Sequence, residues 1–202
     1  MNEETKKPVG EPKEDALLIR DFCEGDKAAF DNLVLKHKDR LFSLCYRLLG
    51  DYEEANDSAQ ETFIKVYRSL KKFRLESAFS TWLYRIAVNT CKNKLKSSAF
   101  RQKRKMVPLE NPISANRSSP SREIQDDSQC PAMALENKER MRVIQEAINA
   151  LPEEQREVVT LRDIEGFSYE EVAEITGFNL GTVKSRLARA RLSLRKTLRS
   201  VI

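Results

Sequence analysis

The sequence predicts an all-α protein built as two small helical domains joined by a flexible linker. Three observations carry this reading. Apolar residues recur at three- and four-residue steps over most of residues 15–97 and 135–200, which is the helical period rather than the alternation of strands. Neither glycine nor proline occurs between Asp51 and Val107, so that stretch suits long, uninterrupted helices. Four of the seven prolines, Pro108, Pro112, Pro120 and Pro131, fall in one serine- and asparagine-rich stretch that forms no periodic apolar face. The expected organisation is a disordered tail over 1–14, a helical domain over 15–97, a linker over 98–134 and a second helical domain over 135–202.

In the first domain, Leu17, Leu18 and Phe22, then Phe30, Leu33, Val34 and His37, then Leu41, Leu44, Cys45 and Leu48 keep helical spacing. Gly25 and Gly50 mark the joints. A third helix is expected from about Glu53 to Leu70, with Ala55, Ala59, Phe63, Val66 and Leu70 as its apolar stripe. Its other side carries Asp57, Gln60, Glu61, Ile64, Lys65 and Arg68. That side fits a solvated face with one stray isoleucine and equally fits a surface for docking another helix; periodicity does not separate the two. The joint Arg74, Leu75, Glu76, Ser77 and Ala78 precedes a fourth helix from about Phe79 to Lys96. Trp82, Leu83, Ile86 and Thr90 share one face and are assigned to the core, while Tyr84 and Asn89 project elsewhere. The helix ends in Lys92, Lys94 and Lys96. Aromatics beside a basic helix end either fill a small core or stack unpaired bases, at about 1–3 kcal/mol per base.

The second domain opens with a helix from about Met133 to Ala150, turning Leu135, Met141, Ile144, Ala147 and Ile148 inward. Pro152 starts the next helix, which runs to Arg162 and holds Val158, Val159 and Leu161. Ser168 and Glu171 form a capping box, Gly177 provides a helix stop, and Asn179 caps the last helix. On that helix Val183, Leu187, Ala190 and Leu194 line up toward the core, so Lys184, Ser185, Ala188 and Arg189 point outward. This is a helix-turn-helix whose second helix is basic on its exposed side, a shape that enters the DNA major groove. Small Ser185 and Ala188 permit close approach, Arg189 can grip a guanine edge bidentately, and Lys184 can reach a base or a phosphate. Arg186, Arg191 and Arg195 flank the strip and suit phosphate contacts.

Charge agrees with this. The net charge of +5 is modest, but residues 91–105 and 178–202 each hold seven basic residues and no acid. Two separated basic blocks imply two contacts with a polyanion. The four cysteines have no C-x-x-C spacing and His37 has no cysteine nearby, so neither a metal site nor a cofactor is expected. There is no phosphate-cradling glycine loop and no histidine beside a nucleophile, so no small-molecule substrate or catalysis is expected. No apolar run approaches the roughly 20 residues that span a bilayer, and residues 1–16 lack a signal-peptide core, so a cytoplasmic location is expected.

Read together, three segments carry a family resemblance: Asp57-Ser-Ala-Gln-Glu-Thr-Phe-Ile-Lys-Val-Tyr, then Phe73-Arg-Leu-Glu-Ser-Ala-Phe-Ser-Thr-Trp-Leu-Tyr-Arg-Ile-Ala-Val-Asn-Thr-Cys, then the helix-turn-helix. The chain resembles an extracytoplasmic-function sigma factor of bacterial RNA polymerase, with the Thr-Trp-Leu-Tyr-Arg-Ile-Ala-Val-Asn run the most specific piece. The resemblance implies an alternative, stress-responsive sigma factor whose first domain is region 2 and whose second is region 4. By the same resemblance, Asp57, Gln60, Glu61, Ile64 and Lys65 would dock on the coiled coil of the largest polymerase subunit, and region 4 on the flap. Arg74, Leu75, Glu76, Ser77, Ala78, Tyr84 and Asn89 would hold a base flipped from the minus-10 non-template single strand. Lys184, Ser185, Arg186, Ala188 and Arg189 would contact the minus-35 duplex. The linker would thread toward the RNA exit path, and an anti-sigma factor, commonly membrane-anchored in this family, would hold the protein inactive. The competing reading is a stand-alone helix-turn-helix regulator, which leaves the aromatic joint and the third helix's polar face without a role.

Overall fold

A computed structural model describes residues 12–97, 100 and 131–199, and every regular element among them is a helix. In the first domain these are α1 (Pro12–Glu24), α2 (Lys27–Leu49), α3 (Tyr52–Ser69), a single 3₁₀ turn (Leu70–Lys72) and α4 (Phe79–Lys96). In the second they are α5 (Pro131–Asn149), α6 (Glu153–Val159), a π turn (Thr160–Ile164), α7 (Tyr169–Thr176) and α8 (Leu180–Arg199). The expected tail and linker lie outside the described residues except at their edges, as does Cys130.

Local chemistry sets the helix ends. Asp26 accepts from the Ala28 amide at 2.9 Å to open α2, and Asp51 accepts from the Glu54 amide at 3.0 Å to open α3. Between them Gly50 takes φ 73°, the left-handed conformation in which a side chain is strained, and it returns its amide to Tyr46. Helix α2 is the central strut, packing on α1, α3 and α4. Leu33, Leu41 and Leu44 of α2 and Leu83 of α4 are buried in this packing, where each leucine trimmed to alanine costs about 2–5 kcal/mol.

The structure moves several residues from their expected sides. Leu17 is 51% exposed, and α1 instead buries Asp15, Ile19 and Phe22. The reason is polar: the Asp15 carboxylate pairs with Lys36 at 2.8 Å and His37 at 3.2 Å, drawing that edge of α1 onto α2. Met141 is 52% exposed while Gln145, Ala147 and Ile148 form the inner side of α5. Tyr84 was expected off the core and is 2% exposed. It is buried because the two domains pack together, α4 against α7 and α2 against α5, α6 and the π turn.

Candidate nucleic-acid interface

The helix-turn-helix is built by caps. The Ser168 hydroxyl accepts from the Glu171 amide at 3.1 Å while the Glu171 carboxylate accepts from the Ser168 amide at 2.7 Å, a reciprocal box that starts α7. Gly177, with φ 76°, ends it, and Asn179 Oδ1 accepts from the Thr182 amide at 2.8 Å to start α8. Val183, Leu187 and Ala190 are buried, so Lys184, Ser185, Ala188 and Arg189 stand exposed on the opposite side. The Lys184 ammonium lies 5.7 Å from the centre of the Tyr169 ring, and Ser185 Oγ donates to the Thr182 carbonyl. Arg186 is directed elsewhere: its guanidinium stacks 3.9 Å over Phe178 and pairs with Glu154 at 2.6 Å. Arg191 grips Asp163 through two bonds of 2.6 and 2.9 Å. Of the three flanking arginines, then, two are held by acids of the same domain, and Arg195 is exposed.

On α3, Asp57, Gln60, Glu61 and Ile64 form one exposed face, Ile64 being 51% exposed with Tyr67 beside it. Lys65 is half-buried at the edge of this face, donating to Thr90 at 3.0 Å and pairing with Glu61 at 2.8 Å. Beyond the 3₁₀ turn, Arg74, Leu75, Glu76 and Ala78 are exposed and Ser77 is half-buried, with Leu75 in the left-handed region at φ 56°. This joint borders an open cleft lined by Lys72, Phe73, Arg74, Glu76, Ser77, Trp82, Arg85 and Glu174. The Phe73 and Trp82 rings lie 4.8 Å apart, a half-buried aromatic wall against which a planar group could rest.

Neither Tyr84 nor Asn89 lines that cleft. Five residues apart on one helix they point about 140° apart. Asn89 is exposed, while Tyr84 faces the second domain. Its ring meets Phe167 edge-on at 4.9 Å and its hydroxyl donates to Glu165 Oε2 at 3.0 Å. Glu165 also pairs with Arg40 at 3.6 Å, and Lys92 pairs with Glu157 at 3.0 Å. Burial pushes the Glu157 carboxyl up to about 7 against the pull of Lys92, and raises that of Glu165 against the pull of the Tyr84 hydroxyl, Arg40 and Arg47. Burial and the neighbouring Glu165 charge also raise the Tyr84 phenol. Arg156 completes the contact by donating to the Leu48 carbonyl at 2.7 Å and to the Asn149 carbonyl at 2.6 Å, tying the ends of α2 and α5 together.

Sequence reasoning missed the half-buried Arg40 and Lys92 and the buried Arg156, Glu157 and Glu165 as residues of the contact between the domains. The available signal was the complementarity between the basic end of α4, with Lys92, Lys94 and Lys96, and the closely spaced acids Glu165, Glu170, Glu171 and Glu174. Glu157, next to the apolar pair Val158 and Val159, was a further hint.

Comparison with known proteins is consistent along the chain. Residues 33–101 match the model of Sigma-70 region 2, and residues 141–194 match that of Sigma-70, region 4. The RNA polymerase sigma-H factor of Pseudomonas aeruginosa is 40% identical over 190 residues, covering 94% of this chain and 96% of that protein. The ECF RNA polymerase sigma factor SigW of Bacillus subtilis is 37% identical over 184 residues, covering 91% and 96%. Among solved structures, the sigma factor RpoE in complex with the anti-sigma factor NepR from Bartonella quintana superposes with a TM-score of 0.61 at 28% identity, over 84% of this chain and 96% of that one. A stand-alone regulator accounts for one of the two matched regions; both together, in order, place this chain in the extracytoplasmic-function sigma factors of the sigma-70 family, alternative promoter-specificity subunits of bacterial RNA polymerase.

Proposed function

We propose that residues 15–97 grip core polymerase and the melted minus-10 element, that residues 135–202 read the minus-35 duplex, and that residues 98–134 connect them through the polymerase. The exposed face of α3 supports the first role: Asp57, Gln60, Glu61 and Ile64 with Lys65 offer polar groups around a solvent-facing isoleucine, which a helical coiled coil can cover. The joint Arg74, Leu75, Glu76, Ser77 and Ala78, beside the Phe73–Trp82 wall, is assigned to an extruded non-template base, with Asn89 and Tyr84 on the same helix. Opening one step costs a few kcal/mol of unstacking and unpairing, which a shaped pocket offsets. Lys184, Ser185, Ala188 and Arg189 are assigned to duplex bases, and Arg186 to phosphate once it parts from Glu154.

The observation that carries this reading is the outward strip of α8, where two cations flank two small side chains on a capped helix-turn-helix. The chain supplies location and the first melted pairs, polymerase supplies the catalysis, and the chain itself is not an enzyme. No helix among the described residues is long and apolar enough to cross a membrane. The protein acts in the cytoplasm, where polymerase and DNA are. The RpoE relative is solved in complex with the anti-sigma factor NepR, and a partner of that kind, membrane-anchored and covering the polymerase-docking faces, is assigned to this chain as its inhibitor. The test is transcription by purified core polymerase from a promoter found by mapping transcripts after induced expression. Start-site-specific transcripts that require this protein support the assignment. Duplex binding without polymerase association refutes it.

A further inference from the structure

A buried polar pair stands behind the aromatic wall of the cleft. His37, on α2, and Asp15, on α1, are 4% and 5% exposed. The Asp15 carboxyl is held below the ordinary range: burial works to raise it, and the contacts with His37 and Lys36 outweigh that. An ionised carboxylate only accepts, so His37 Nε2 carries the proton and donates to Asp15 Oδ2 at 3.2 Å. The His37 ring meets Phe79 with centres 5.3 Å apart and planes at 65°. Phe79 in turn lies 6.1 Å from Phe73 and 6.0 Å from Trp82. Two of these rings bracket the joint from Arg74 to Ala78: Phe73 precedes it, and the buried Phe79 follows it as the first residue of α4. Local chemistry does little to hold the joint. Ala78, the N-cap of α4, makes no side-chain cap, and the exposed Arg74–Glu76 pair is stretched to 3.9 Å. The rings at its two ends therefore place the joint, and His37 seats one of them. A carboxylate buried as deeply as Asp15 returns little net stability, because desolvation offsets most of its attraction. What its bond to His37 fixes is the rotation of the imidazole.

We propose that His37, oriented by Asp15, is a positioning residue for recognition of the extruded base: its ring seats Phe79, and Phe79 sets the joint against the Phe73–Trp82 wall. Both residues of the pair are buried, so neither touches DNA itself. This rests on the assignment of the joint and the cleft to a non-template base. Loosening the pair lets the joint sample several positions, and a wrong base is then accepted nearly as well as the right one. Docking through the exposed face of α3 and duplex reading by α8 do not depend on the pair.

The test uses holoenzyme formed with the full chain, and promoter fragments with a mispaired minus-10 element carrying each base in turn on the non-template strand. The ratio of binding between the preferred base and its replacements reads recognition. Competition for core polymerase reads docking, and circular dichroism reads folding. At a recognised position a wrong base costs about fivefold or more in binding. Asp15→Leu should bring that ratio close to one while core competition and helical signal stay the same. A pair that served stability alone would leave the ratio untouched in the folded variant. Asp15→Asn keeps an oxygen for the imidazole and should retain the wild-type ratio. A ratio unchanged by Asp15→Leu overturns the proposal, and so does an equal loss with Asp15→Asn. Should Asp15→Leu lose its helical signal, His37→Gln, which keeps a donor for Asp15 and removes the ring from Phe79, must lower the ratio; no drop there overturns the proposal. A wild type with no base preference refutes the assignment of the joint, and this inference with it. A selective wild type beside an equally selective Asp15→Leu refutes the inference alone.

Discussion

Tyr84→Phe isolates the polar half of the contact between the domains, because it removes one oxygen and leaves the ring packed on Phe167 at 4.9 Å. Glu165, buried beneath it, then loses the hydroxyl that donates at 3.0 Å and keeps Arg40 at the longer 3.6 Å. A hydrogen bond to a charged group contributes about 1.5–3 kcal/mol, and the loss is felt in full when the remaining partner stays buried. For a chain of this size about 2 kcal/mol lowers Tm by roughly 4–8 °C. Urea unfolding followed through Trp82, the sole tryptophan, reads the change, since its ring lies on the cleft that Glu174 also borders. A double-mutant cycle with Glu165→Gln assigns it: the pair should couple by about 1 kcal/mol or more. A coupling within about 0.3 kcal/mol of zero would refute the bond and the packing built on it. The phenyl ring keeps its stacking face, so promoter opening by holoenzyme carrying Tyr84→Phe should be retained.

Arg189→Ala should cut discrimination at the upstream duplex element by about 1–3 kcal/mol, read as holoenzyme binding to promoters altered one base pair at a time; an unchanged preference rejects its role. Gln60→Ala with Ile64→Glu should weaken competition for core polymerase while circular dichroism stays the same, and full competition removes the docking face. Asn89→Ala should slow open-complex formation more than it weakens polymerase binding; equal losses exclude a base-holding role. Glu157 gives a pH dependence whose sign is set by its raised carboxyl, at about 7 against an ordinary 4.5, facing Lys92 from α4 and Glu153 and Glu154 on its own helix. Between those values the folded chain keeps a proton that the unfolded chain has released, so this contribution is complete below about pH 4.5 and is lost as pH rises through about 7. The span corresponds to about 3 kcal/mol, and Glu157→Gln should flatten it in unfolding measurements at acid and neutral pH. An unaltered slope places the dependence elsewhere.

Helices, caps and the outward strip of α8 were legible because each depends on residues within a turn or two. Ser168 and Glu171 satisfy one another across three positions, Gly177 relieves a local strain, and Val183, Leu187 and Ala190 share one side by the helical period. Family membership was legible for a similar reason: the Thr81–Asn89 run and the helix-turn-helix are contiguous. The exposed face of α3 could be listed residue by residue, although periodicity left open whether it was solvated or a docking surface.

Burial that comes from a distant element was not legible. Leu17 and Met141 sit at helical spacing among apolar neighbours and are exposed, because Asp15 draws another edge of α1 onto α2 and Gln145 lies inward on α5. Tyr84 meets Glu165 across 81 positions of chain, and Arg156 meets Leu48 across 108. The sequence alone determined an all-helical pair of domains with a DNA-reading helix, since hydrogen-bonding period and capping act over a few residues. Only the tertiary structure decided that the two domains cover each other's charged side chains, since that depends on which buried acid reaches which cation through space.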